Sequence, residues 1–167
     1  MRKPVFGLYC GILVILLVLL DQLTKYLAIL YLKDRADRIL LSGVLQLHYL
    51  ENTGAAFSVL RGQTAVFYVL IPVLCVAILW VFFKLPFEKR FFPVHICCVF
   101  LIAGAVGNLI DRVRFGAVTD FIYFSLINFP VFNVADIYVT CSMAVLLVLL
   151  LFFYKEEDME RVFGRHG

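Results

Sequence analysis

Four long apolar runs constrain this chain more than any other feature. A helix needs about 20 apolar residues to cross the hydrocarbon core of a membrane. Runs at about residues 5–25, 64–83, 92–110 and 132–154 meet that requirement. The first is apolar from Val5 to Leu20 and continues as a polar-spotted helix past Lys25. The second contains Pro72, which membrane helices tolerate as a kink. Hydrophobic residues make up 63% of the chain and charged residues 16%, with a mean hydropathy of +0.98. A soluble globule of 167 residues could not hide so much apolar surface. Soluble, disordered and collagen-like readings are therefore excluded. The expectation is an all-α integral membrane protein, one domain over residues 1–167 with four transmembrane helices.

Arg2 and Lys3 ahead of an apolar run imitate a signal peptide. No small-residue cleavage site follows, so the run reads as an uncleaved first span. Eight Lys and Arg (Arg2, Lys3, Lys84, Lys89, Arg90, Lys155, Arg161 and Arg165) crowd one set of span ends. Six others (Lys33, Arg35, Arg38, Arg61, Arg112 and Arg114) are spread over much longer loops on the other side. That asymmetry predicts both termini in the cytoplasm, with loops at about 33–63 and 111–131 facing outward. Within them, Val44–Glu51 and Val118–Phe124 carry β-favouring residues, so a small sheet on the outer surface is expected. The mixed segment from Ile29 to Leu41 is expected to lie along the interface. A net charge of +3 is too small to argue for nucleic acid. Cys10, Cys75, Cys97, Cys98 and Cys141 all sit in apolar runs and read as packing residues. No His/Cys cluster has metal-ligand spacing.

Ionisable residues in or beside spans are costly and need an explanation. Four clusters stand out. Asp21 and Lys25, in DQLTK, are spaced i, i+4 with the acid first, which suits an ion pair at a helix end as well as a functional role. Glu51-Asn52-Thr53-Gly54-Ala55-Ala56-Phe57-Ser58 joins a turn signal to small residues beside a Phe, which would suit a groove for an extended peptide. Gly104, Asn108 and Arg112 share one face of span three, and Ala103 and Gly107 form a small-xxx-small pair for close helix approach. Asp136 falls about four residues into span four, on a face with Asn133 and Thr140, with no basic neighbour on its helix. Asp120 can reach the same depth from the preceding loop. Two neighbouring carboxylates cannot both ionise cheaply and share a proton, which is the chemistry of aspartic proteases. A proton or ion pathway in a transporter would also use intramembrane acids, although the chain shows no repeats.

Taken in order, DQLTK, ENTGAAFS, GAVGNLIDRVRFGAVTDF and FNVADI resemble the motifs of the lipoprotein signal peptidases, also called signal peptidase II. The resemblance implies a four-helix bundle with an extracytoplasmic β-cradle in the bacterial inner membrane. It implies an aspartyl endopeptidase that cuts a prolipoprotein signal peptide just before a diacylglyceryl-modified cysteine. Its catalytic dyad maps onto Asp120 and Asp136. Its site-lining residues map onto Asn52, Gly54, Asn108, Arg112 and Asn133, while Asp21 and Lys25 match the first motif in a supporting role. Implied partners are lipidated prolipoproteins, membrane lipids and globomycin-type inhibitors, with a monomer sufficient. No nucleic acid, metal or organic cofactor is implied.

Overall fold

The computed structural model describes residues 3–54 and 64–164. Among the described residues, four helices are long and apolar enough to cross a membrane. They are α1 (Lys3–Leu32), α2 (Thr64–Lys84), α3 (Phe92–Phe115) and α4 (Val134–Val148), the last widening into a π turn over Leu149–Phe153. A short helix, α5 (Glu156–Phe163), follows. Three antiparallel strands, β1 (Arg38–Leu41), β2 (Leu45–Asn52) and β3 (Val118–Phe124), form one sheet in that order. The expected architecture of four membrane helices and a small sheet is the observed one. Both strand-like segments are strands.

Helix α1 continues past Lys25, as expected, and runs to Leu32; one expectation about its exit is corrected. Asp21 and Lys25 therefore lie well inside it and are buried, rather than pairing at a helix end. The segment from Ile29 to Leu41 is not one interfacial element. Its first part completes α1, Asp34 turns the chain at φ 57°, and Arg38–Leu41 then pairs with β2. An Asp accepts that left-handed conformation more readily than most residues. Span four also starts later than residue 132, because Asn133 caps α4 rather than belonging to it.

The distribution of side chains is inverted relative to a water-soluble protein. Large apolar residues such as Leu19, Val69, Val76, Leu151 and Phe152 face outward along the helices. Asp21, Lys25, Asp111, Asp120 and Asn133 are each at most 2% exposed. Lipid, not water, suits that outer surface, and the polar groups must find partners inside.

Helix α3 packs against α1, α2 and α4 and is the centre of the bundle. Its glycines set how close two of those neighbours come. A Cβ at Gly104 would sit 2.6 Å from the carbonyl oxygen of Ala135 and 2.7 Å from Val139 Cγ2. One at Gly107 would collide with the carboxylate of Asp21. The expected close approach through small residues is thus present, on α4 through Gly104 and on α1 through Gly107.

The two ends of the bundle differ in kind. At the end away from the sheet, Phe91, Val94, Cys98, Val99, Phe82 and Tyr154 form an apolar core. The Phe91 and Tyr154 rings stack at 5.5 Å. Helix α5 closes this end. Arg90 donates to both carboxylate oxygens of Asp158, at 2.6 and 2.5 Å, and Tyr154 Oη donates to Arg90 O at 2.8 Å. At the other end, Phe121 of β3 packs on Ala28 and Leu32 and holds the sheet against α1.

Close packing at the glycines predicts that Gly104→Ala or Gly107→Ala lowers stability by about 1–3 kcal/mol, the usual range for overpacking. Gly11→Ala, which meets open space, does not. Thermal unfolding of the purified protein in detergent separates the two classes.

Candidate active site

The sheet and bundle meet at the ends of β2, β3 and α3 and at the start of α4, and the expected polar residues converge there. Leu50 pairs with Asp120 across the β2–β3 ladder. Side chains two apart share a sheet face, so Asn52 is the diagonal neighbour of Asp120. Its Nδ2 donates to Asp120 Oδ2 at 2.9 Å. Gly54 N donates to Asn52 Oδ1 at 2.9 Å, which fixes the orientation of that amide.

Asn133 joins the two acids. As the N-cap of α4 it accepts from Asp136 N at 3.0 Å, and its own N donates to Asp136 Oδ2 at 3.1 Å. This is a reciprocal capping box. The same side chain donates through Nδ2 to Asp120 Oδ1 at 2.6 Å and to Asn108 Oδ1 at 3.2 Å. Asn108 completes the ring, since its Nδ2 donates to Asp136 Oδ1 at 2.9 Å. Its orientation is forced: Oδ1 receives Lys25 Nζ at 2.8 Å as well as Asn133, so only the NH2 can face Asp136.

Behind this ring lies a buried charge cluster. Lys25 Nζ is 3.0 Å from Asp21 Oδ2 and 3.4 Å from Asp111 Oδ2. Gln22 Nε2 lies within hydrogen-bond distance of Asp21 Oδ2, Asp111 Oδ1 and Gly107 O. The i, i+4 ion pair expected of Asp21 and Lys25 is present, but as part of this cluster. Arg112 sits at the margin. It donates through Nη2 to Gly54 O at 2.9 Å and lies over the Phe67 ring at 4.4 Å.

All the site residues read from the sequence are thus brought into one neighbourhood, with Asp21 and Lys25 behind it. Ala55, Ala56, Phe57 and Ser58, expected to line or cover a groove, lie outside the described residues. Sequence reasoning missed Asp111 and Gln22. The signal for Asp111 was its place one turn beyond Gly107: a carboxylate on a close-packing face is buried against a neighbouring helix.

Asp120 carries the clearest electrostatic mark. Burial, and next the negative charge of Asp136, push its carboxyl up from 3.8 to about 7. Hydrogen bonds from Asn52 and Asn133 act the other way but do not overcome burial. Asp120 therefore retains its proton up to near neutrality. A cavity of about 730 Å³, lined by His48, Leu50, Asn52, Gly54 and Tyr123 among others, opens beside Asn52.

Fold and site together define a membrane-embedded protein with a polar cluster of acids at one end of a four-helix bundle, joined through Asn52 to an open cleft. The family model described as signal peptidase (SPase) II matches residues 13–153. A lipoprotein signal peptidase of Enterococcus faecalis is 40% identical over 139 residues, 83% of this chain and 82% of the relative. One from Caldanaerobacter subterraneus is 39% identical over 142 residues, 84% of this chain and 94% of the relative. A solved structure described as a bacterial membrane enzyme superposes with a TM-score of 0.75 at 28% identity, covering 89% of this chain and 92% of the other. The chain belongs to the signal peptidase II family, the lipoprotein signal peptidases, and is a multi-pass bacterial membrane protein.

The causes of the Asp120 shift give opposed outcomes for two variants. Infrared titration should show a protonated carboxyl band that disappears as pH rises through about 7. The band is absent in Asp120→Asn. Its midpoint falls in Asp136→Asn, which removes the repelling charge, and rises in Asn52→Ala, which removes a donor to the anion.

Proposed function

We propose that this protein cleaves diacylglyceryl-modified prolipoproteins just before the lipidated cysteine, using Asp120 and Asp136 on an activated water. The observation that carries this reading is Asn133, which holds the buried Asp120 and the half-buried Asp136 at once. In the proposed reaction one carboxylate takes a proton from water and its oxygen attacks the scissile carbonyl carbon. The other acid gives its proton to the carbonyl oxygen. The acid that took water's proton then gives it to the cysteine nitrogen as the C–N bond breaks, and the other carboxylate takes back a hydroxyl proton as the new carboxyl group forms. Asn108 and Asn133 orient the acids, while Asn52 and Gly54 border the cleft where substrate backbone would lie and Arg112 holds Gly54 there. No metal or organic cofactor has a part in these steps.

The substrate's signal peptide and acyl chains lie in the bilayer, so its scissile bond lies near the membrane surface. The density of Lys and Arg at the opposite span ends supports cytoplasmic termini and a site at the outer leaflet. A globomycin-type cyclic peptide would compete in the same cleft. One copy of the chain carries every residue this mechanism uses, so a monomer suffices.

The test is cleavage of a prolipoprotein, with and without diacylglycerol on its cysteine, by purified protein in detergent. Wild type should shift the mass of the lipidated substrate only. Asp120→Asn and Asp136→Asn should each lose at least about 10³-fold in rate, within the range removed with a general acid or base. Activity surviving in both variants would discard the dyad. Equal cleavage of unlipidated substrate would discard the proposed specificity.

A further inference from the structure

We infer that Asp111 is a positioning residue for the dyad, and that with Asp21 it forms a bracket fixing the two catalytic aspartates relative to each other. The inference rests on the dyad reading above. Each dyad acid is preceded in the chain by a residue whose backbone N–H is taken by a second, buried carboxylate. Thr119 N, just before Asp120, donates to Asp111 Oδ2 at 3.0 Å. Ala135 N, just before Asp136, donates to Asp21 Oδ1 at 3.0 Å. Asp111 and Asp21 stand on different helices, α3 and α1, and are 1% and 0% exposed.

The two holders are tied together. Gln22 Nε2 is 3.0 Å from Asp111 Oδ1 and 3.2 Å from Asp21 Oδ2. Lys25 Nζ is 3.4 Å from Asp111 Oδ2 and 3.0 Å from Asp21 Oδ2. One amide and one ammonium therefore span both carboxylates. Neither Asp111 nor Gln22 is hydrogen-bonded to a dyad side chain: Asp111 acts through the Thr119 backbone, and Gln22 through the two holders.

The geometry explains why such a bracket is needed. Asp120 comes in on a strand and Asp136 on a helix, each with its own route to the site. Among the described residues, those two routes are joined locally by Asn133, by the backbone bonds of Phe132 to Phe121 and Ile122, and by the stacked Phe124 and Phe132 rings. Hydrogen bonds to a carboxylate are the strong kind, and a buried N–H deprived of its acceptor is costly. Sliding β3 against α4 would break one such bond or the other. A displacement of about 1 Å at reacting groups can cost about 10²-fold in rate.

Asp111→Asn leaves one oxygen to serve Thr119 N, Gln22 Nε2 and Lys25 Nζ, and turns an NH2 toward donors. The milder Gln22→Ala removes the tie and leaves both holders in place. Both are compared with wild type and Asp120→Asn for kcat and KM on lipidated prolipoprotein, for melting temperature, and for the pH midpoint of the Asp120 carboxyl band. Asp111→Asn should lower kcat by about 10²-fold with KM little changed, and should move the Asp120 midpoint. Gln22→Ala should do the same to a smaller degree. A lower melting temperature with wild-type kcat per folded molecule and an unmoved midpoint would make Asp111 merely structural and overturn the bracket. If Asp111→Asn does not fold, Gln22→Ala decides: wild-type kcat and midpoint overturn the bracket. An active Asp120→Asn overturns the dyad itself, a result distinct from either.

Discussion

Everything at the sheet end of this molecule depends on one constraint: a charge inside a membrane bundle must be surrounded by partners of its own. Lys25 is the clearest case. Its ammonium is 2% exposed, and it touches Asp21, Asp111 and Asn108. Removing any one partner would leave a buried charge short of a neighbour, which is far more costly than losing a surface contact. The bundle is therefore organised from the inside outward. Gly107 of α3 lets α1 come near enough for those contacts, and Asn108 takes its orientation from the lysine before it meets Asp136.

The opposite end is held by different means. Aromatic stacking and apolar burial do most of the work there, closed by the Arg90–Asp158 pair. Asp158 is held down at about 2 by Arg90, so that pair stays ionic across the ordinary pH range. The polar end carries a carboxyl, Asp120, that titrates near neutrality, while Asp158 of the clasp is already ionised there. Changes of pH around 7 thus act at the site without acting on the clasp.

Much of this was legible in the sequence because membrane helices announce themselves by length and hydropathy, and because Asp120 and Asp136 had no reason to stand where they do without partners. The strands were readable from β-branched and aromatic residues over Val118–Phe124. The limits of α1 were not: its continuation to Leu32 follows from packing of Ala28 and Leu32 on Phe121, a contact between residues more than eighty positions apart. Asp111 was hidden for a related reason. Next to Arg112 in the chain it looks paired, but the two side chains leave the helix in different directions. One goes to Thr119 N and Gln22, the other to Gly54 O.

Asn133 starts a helix and bridges two acids with a single amide. Its oxygen is occupied by the cap and its nitrogen by Asp120 and Asn108. Aspartate could serve as the cap but would set a third negative charge between the acids. Serine could serve as the cap but would lack the NH2. Both uses need a side chain with one acceptor and one donor group at that length, and only asparagine has it. Durability and reactivity are thus written into the same few atoms, and the position has no freedom to trade one against the other.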